Sequence, residues 1–241
     1  MNPTAIPPAS PPERQIGDAA EAGRAVFGCV AAGGVAIFRT DVGYAIVGHA
    51  PAAIARIYAL KRRAATKPCG CFANLDLYRR LIRRTPDADR LIEAVTGRHG
   101  LPLSIVGQYR ADDPLIARAP AASLAMATKG DTIDLLLNAG PIHDEIARLA
   151  VELGVAVFGS SANTSLAGSK FRFADVEPEV RLGVDLAVDS GPTKYSHPAG
   201  LGSTIIDLAT FRPFRIGIAF DTIRRIAREE CGIEIAEAAI A

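Results

Sequence analysis

The sequence predicts a layered α/β domain with a mixed sheet, and three observations carry that prediction. Segments with helical apolar spacing alternate along the chain with short apolar runs of strand length. Glycine and proline punctuate the junctions, as at Gly33-Gly34 and at Pro141 and Gly154, which bracket one helical pattern. The 241 residues are 49% hydrophobic and 22% charged, enough to bury a substantial core, and show no internal repeat.

Each element has a local reason. Residues 1–15, MNPTAIPPASPPERQ, hold five prolines and little that can pack, so they read as a disordered tail before a single domain over 16–241. Residues 17–32 read as a helix that stops at Gly33-Gly34, and 35–38 as a buried strand. Residues 51–63 form an amphipathic helix, with Ile54, Ile57 and Tyr58 near helical spacing. A strand over 69–73 and helices over 75–84 and 87–99 follow. Strands are expected over 103–109 and 123–128, a helix over 141–153, and a buried strand over 155–159. Later strands fall at 184–188, 203–208 and 214–218, and Asp221 is the expected N-cap of a last helix.

Composition narrows the function. A net charge of +1 predicts no strong charge-driven attraction of the whole molecule to nucleic acid or membrane. No apolar stretch approaches membrane-spanning length, and the N-terminus lacks the basic start and apolar run of a secretory signal. The expected compartment is therefore the reducing cytoplasm. Cys69-Gly70-Cys71 puts two thiols on one face of a strand, but no second pair has zinc spacing, so core thiols and no metal site are expected. His49, His99, His143 and His197 are scattered and suggest no triad. A Walker loop, a G-x-G-x-x-G at a strand–helix junction, an H-E-x-x-H and a G-x-S-x-G are all absent.

Two short segments carry candidate chemistry. Arg56, Lys61, Arg62, Arg63 and Lys67 gather within twelve residues, ahead of Pro68. A solvated basic helix face is the simpler reading of such a run. Its place at a helix end leading into a strand is also where α/β folds bind ligands. Lys61 and Arg63 diverge on a continuing helix and converge if the helix ends between them. The second segment, Ser160-Ser161-Ala162-Asn163-Thr164-Ser165, follows an apolar strand. It reads either as a simple turn or as a loop whose hydroxyls and amides cradle phosphate.

The order of motifs resembles the YrdC-like threonylcarbamoyl-AMP synthase family over about residues 17–220. Residues 37–46, Ile-Phe-Arg-Thr-Asp-Val-Gly-Tyr-Ala-Ile, resemble its P-T-[ED]-T-x-Y-G-L segment. Lys61-Arg62-Arg63 with Pro68 is similar to K-x-R-x-x-x-x-P, and Ser160–Ser165 to T-S-A-N-x-S-G. Ser203-Thr204-Ile205-Ile206-Asp207 is similar to S-T-[IV]-[IV]-D, and Arg215-Ile216-Gly217 to a closing R-x-G.

The resemblance implies a YrdC-like fold: a twisted mixed sheet with flanking helices around an open concave cavity. It implies an enzyme that combines L-threonine, bicarbonate and ATP into threonylcarbamoyl-adenylate with release of pyrophosphate, a nucleotidyl transfer. The product serves the threonylcarbamoyladenosine modification of tRNA, and Mg2+ accompanies the ATP. By the same implication Lys61 and Arg63 hold the ATP phosphates and the nascent carboxylate. Ser161 and Asn163 contact nucleotide phosphate and the reacting carbamate. Ser203 and Arg215 complete the nucleotide pocket, and Thr40 and Tyr44 shape the threonine site.

The chain also departs from the pattern. Arg39, Val42 and Ala45 replace residues of the first segment, and 100–104 is a looser version of P-G-x-x-T. Leu124–Thr128 is the expected counterpart of V-R-[VI]-P, with Met126 in place of a pocket arginine; Arg39 or Lys129 is the candidate replacement. The changes fall on the amino-acid side, so an acceptor other than threonine is a second expectation. A rival class is a non-catalytic double-stranded RNA or tRNA-binding module, with Arg79, Arg80, Arg83, Arg84, Arg224, Arg225 and Arg228 extending a basic surface. An open α/β architecture like that of dihydroxybutanone-phosphate synthase needs an acidic metal cluster that the sequence does not offer.

Overall fold

A computed structural model describes residues 13–239. The elements run in this order: β1 (Glu13–Gln15), α1 (Ala19–Ala31), β2 (Ala36–Thr40), β3 (Gly43–Gly48), α2 (Pro51–Leu60), β4 (Gly70–Phe72), α3 (Leu75–Leu81) and α4 (Pro86–Ile92). A π-helical turn over Glu93–Arg98 continues α4. Next come β5 (Leu103–Gln108), α5 (Pro114–Arg118), α6 (Ala121–Ala127), β6 (Thr128–Lys129), β7 (Thr132–Leu137), α7 (Pro141–Leu153) and β8 (Phe158–Ser161). The chain closes with α8 (Pro178–Leu182), β9 (Leu186–Asp189), β10 (Ile205–Asp207), β11 (Pro213–Arg215) and α9 (Phe220–Cys231).

Among the described residues, eleven strands form one twisted mixed sheet in the order β1-β9-β2-β3-β8-β4-β7-β5-β10-β11, with β6 paired to β7 off that path. β4 pairs parallel with β7 and antiparallel with β8, so residues far apart in sequence become neighbours. β3 is buried along its whole length, as its run Tyr44-Ala45-Ile46-Val47 requires. Helices flank the sheet: α1 packs on α7, and α2 lies against β3 and β8.

The alternating architecture agrees with the sequence expectation, and several boundaries move. The expected tail falls mostly on residues 1–12, outside the described residues. Its last three, Glu13–Gln15, instead form β1, parallel to Ala187–Asp189. The expected strand over 123–128 is helix α6. Ala-Ala-Ser-Leu-Ala-Met-Ala consists mainly of strong helix formers, and local propensity prevails there. The strand placed at 155–159 lies at Phe158–Ser161 and takes in two serines assigned to the loop. Thr132–Leu137, for which no element is expected from sequence, is the interior strand β7. The last helix begins at Phe220 after Ala219, whose φ is 61°, so Asp221 lies in its first turn and is not its cap.

Candidate functional site

Helix α2 stops at Leu60, and Lys61 is its cap. Arg62 then turns the chain with a left-handed φ of 48°. That turn meets the condition for convergence, because Lys61 and Arg63 leave the helix end on either side of it. The Arg63 backbone N–H still donates to Tyr58 O at 2.9 Å, and the Lys61 carbonyl accepts from Ser165 N at 2.8 Å.

Lys61 is 1% exposed. Its ammonium donates to the Ser161 carbonyl, to Asn163 O at 2.6 Å and, more weakly, to Asn163 Oδ1 at 3.5 Å. The lysine therefore braces the Ser-Ala-Asn segment from inside. Burial, helped by the nearby Arg63 charge, pulls its pKa from 10.5 down to about 7, against the pull of Glu177. Ser161 closes β8 opposite Ala45, and Ala162 N donates to Tyr44 O at 2.7 Å. Asn163 is buried and uses its Nδ2 on Thr164 O at 2.5 Å. Lys170 reaches Glu177 at 3.1 Å, and Thr164 Oγ1 donates to the same carboxylate oxygen at 3.2 Å.

Arg63 wraps its own loop. Nε donates to Lys67 O at 3.0 Å, Nη2 to Pro68 O at 2.6 Å and Nη1 to Ser160 Oγ at 3.4 Å, and the guanidinium lies over the Tyr58 ring. Lys67 thereby contributes a carbonyl to the site. Across the sheet, Arg215 donates through Nε to Ser203 O and through Nη2 to Ser203 Oγ, both at 2.8 Å. Its Nη1 has no partner among the described residues. Ser203 Oγ in turn meets Ser104 Oγ at 2.9 Å. Gly217 permits this closeness, since a Cβ there would lie 2.5 Å from the Ser203 carbonyl carbon.

Asp134 on β7 is a residue that sequence reasoning missed: burial raises its carboxyl against the charges of Arg215 and Arg63. Its signal was present: Thr132-Ile133-Asp134-Leu135 alternates half-buried and buried positions, as a strand with one open face must. The hydrogen bonds thus form separate sets: Lys61 with Ser161 and Asn163, Arg63 with Ser160, and Arg215 with Ser203 and Ser104, the last from the loosely matching 100–104 segment.

Thr40 and Tyr44 lie on the β2–β3 hairpin, and both hydroxyls are committed within the fold. Thr40 Oγ1 donates to Gly43 O at 2.6 Å. The Tyr44 hydroxyl lies 2.7 Å from Asp189 Oδ1 and 2.8 Å from Gly191 O, and burial beside that carboxylate raises its pKa.

Met126 does not lie on the expected strand. It lies on α6, where its carbonyl accepts from Cys69 N at 2.9 Å and Tyr58 Oη at 2.8 Å. The strand that leads into α7 is β7, which ends in Leu135-Leu136-Leu137 before Asn138. Of the two expected replacements, Arg39 donates to Pro192 O at 2.9 Å, and Lys129 is exposed on β6. Cys69 and Cys71 are buried thiols, pushed up to about 11 and about 12 by burial. Two open cavities of about 430 and 490 Å3 lie elsewhere, beside Arg83 and Tyr109 and beside Cys29 and Arg56. No helix among the described residues is long and apolar enough to cross a membrane.

The profile of the Sua5_yciO_yrdC family, described as "Telomere recombination", matches residues 29–217. Among curated proteins none matches. The fold is similar to that of a P. abyssi Sua5 variant, with a TM-score of 0.72 and 21% identity over 95% of this chain and 62% of that one. It is similar to P. abyssi Sua5 complexed with L-threonine, with a TM-score of 0.69 and 22% identity over 94% of this chain and 62% of that one. E. coli YciO gives a TM-score of 0.61 and 18% identity over 86% of this chain and 93% of that one. The chain thus spans about 62% of the length of the P. abyssi protein.

Proposed function

Because the chain belongs to the Sua5_yciO_yrdC family, we propose that it forms a carbamoyl-adenylate from ATP, bicarbonate and an amino acceptor, releasing pyrophosphate. The observation that carries this reading is the pair of guanidinium–serine sets at motif positions: Arg63 on Ser160, next to the Ser161–Asn163 segment that Lys61 braces, and Arg215 on Ser203. Arg63, Ser161, Asn163, Ser203 and Arg215 are the positions that the family motifs assign to the nucleotide.

The chemistry asks little of the protein beyond position and charge. The acceptor amine adds to the carbonyl carbon of bicarbonate and water leaves, giving a carbamate. A carbamate oxygen then attacks the α-phosphorus, and the bond to pyrophosphate breaks. No protein nucleophile is needed. Arg215, whose Nη1 makes no hydrogen bond among the described residues, would meet the phosphates, and Arg63, its three nitrogens engaged on its own loop, adds positive charge beside them. Lys61 fixes the Ser161–Asn163 backbone from behind. Mg2+, when bound, would screen the triphosphate, and Asp134 on β7 is the carboxylate suited to hold it.

The acceptor side differs. We read V-R-[VI]-P as Leu135-Leu136-Leu137-Asn138, on the strand that leads into α7, so that Leu136 stands at the arginine position; with both hairpin hydroxyls committed, the pocket then offers less to an amino acid carboxylate. L-threonine, which P. abyssi Sua5 carries, is the first acceptor to test, and the altered pocket favours a related amine. The product would enter tRNA threonylcarbamoyladenosine modification or a parallel modification. The test is pyrophosphate release with ATP, bicarbonate and each amino acid in turn, alongside calorimetry with ATP. ATP binding with release for at least one acceptor is expected. No release and no ATP binding would refute the reading.

A separate RNA-binding role has weaker support. Of the seven arginines that would extend a basic surface, Arg79, Arg80, Arg84, Arg224, Arg225 and Arg228 each pair with a carboxylate.

A further inference from the structure

Asp134, on β7, has no hydrogen-bond partner among the described residues. Its Oδ1 is buried and accepts no hydrogen bond among the described residues. Arg215 directs its hydrogen bonds to Ser203, and Arg63 directs its own to Lys67, Pro68 and Ser160, so neither guanidinium satisfies the carboxylate. Burial outweighs both cations and pushes the carboxyl up to about 6. Beside it, Gly70 has no side chain; a Cβ there would lie 3.5 Å from the carboxylate carbon and Oδ2.

A buried carboxylate oxygen kept only for the fold is normally satisfied by its neighbours. One that faces a bare triphosphate also repels it. A hard divalent cation between carboxylate and phosphate removes both difficulties, and Mg2+ is commonly held by one or two carboxylates plus substrate phosphates and water. Among the described residues no group of three or more His, Cys, Asp or Glu can hold a metal. A cation on Asp134 therefore needs phosphate oxygens to fill its shell.

We propose that Asp134 is the protein ligand of a divalent cation that enters only together with the nucleotide triphosphate. This rests on the ATP-site reading. It adds the carboxylate that the cation uses and an obligatory order, in which the protein alone does not take the metal.

The test uses Mn2+ as probe and a non-hydrolysable ATP analogue, with free Mn2+ read by electron paramagnetic resonance. The full chain and Asp134→Asn are each titrated with and without the analogue, and analogue affinity is measured separately without metal. Mn2+ should bind the unaltered protein only when the analogue is present. Asp134→Asn should weaken that binding by at least about tenfold, while metal-free analogue affinity stays equal or rises. If Asp134→Asn does not fold, aspartate labelled with 13C at its carboxyl in the unaltered protein carries the test. Pulsed resonance must then show a directly bound carboxylate carbon. Mn2+ affinity unmoved by the substitution, Mn2+ bound without nucleotide, or no carboxylate coupling overturns the proposal alone. An unaltered protein that binds no analogue overturns the nucleotide reading and this proposal with it.

Discussion

Replacing Lys61 by Met tests the energetics of the site's most buried cation. Lys61 is 1% exposed, and burial lowers its pKa from 10.5 to about 7. At ~1.4 kcal/mol per pH unit, that difference amounts to about 5 kcal/mol of cost for holding the charge inside the fold. The sign follows from proton counting. Below pH 7 both folded and unfolded chains hold the proton, and the cost applies in full. Between about 7 and 10.5 the unfolded chain holds more protons, so the unfolding free energy rises with pH. Above that window neither state is charged. Methionine has similar bulk and no proton, so Lys61→Met should lack this rise, while the tyrosines and cysteines titrate alike in both proteins. Urea unfolding of both from about pH 6 to about pH 10.5 gives the difference curve. The gap should change by up to about 5 kcal/mol, never faster than ~1.4 kcal/mol per pH unit. Parallel curves would refute a depressed Lys61.

Other outcomes follow from the same geometry. Arg63→Met and Arg215→Met should each weaken ATP binding by roughly tenfold to a hundredfold, the worth of an ionic hydrogen bond, as read by calorimetry. Unchanged affinity in both would remove the guanidinium clamp. Gly217→Ala puts a Cβ 2.5 Å from the Ser203 carbonyl carbon and should cost about 1–3 kcal/mol, seen as a Tm lower by several degrees. With thiols raised to about 11 and about 12, Cys69 and Cys71 should stay unlabelled by a brief thiol reagent pulse at about pH 8, as mass spectrometry of peptides would show. Binding to double-stranded RNA should show little salt dependence; a steep log–log slope would restore the RNA-binding module.

The quartet Lys61, Arg63, Ser161 and Asn163 was legible because short polar motifs keep their spacing in sequence, and glycine and proline mark element ends. What the residues do was less legible. A lysine in a basic run looks like a surface cation; only the fold reveals Lys61 bonded to the carbonyls of residues a hundred positions away. Asp134 and Leu136 were hidden because β7 was not identified. Its alternation is short, and Ala121–Ala127 drew the motif comparison to a segment whose alanines favour helix. The β4–β7 and β4–β8 pairings depend on long-range register, which local periodicity does not encode.

The three residues of β1 have a mechanical consequence. They end the sheet beside β9, and a short charged rim offers little for another chain to pair with. They are also a tether. Gln15 donates to Asp189 Oδ2 at 3.3 Å, and Asp189 Oδ1 accepts from Tyr44 at 2.7 Å. Traction on the chain before Glu13, or a cut at that point, would reach the hairpin through two hydrogen bonds. The rim of this domain is thus wired to the side of the site where the acceptor is expected to sit.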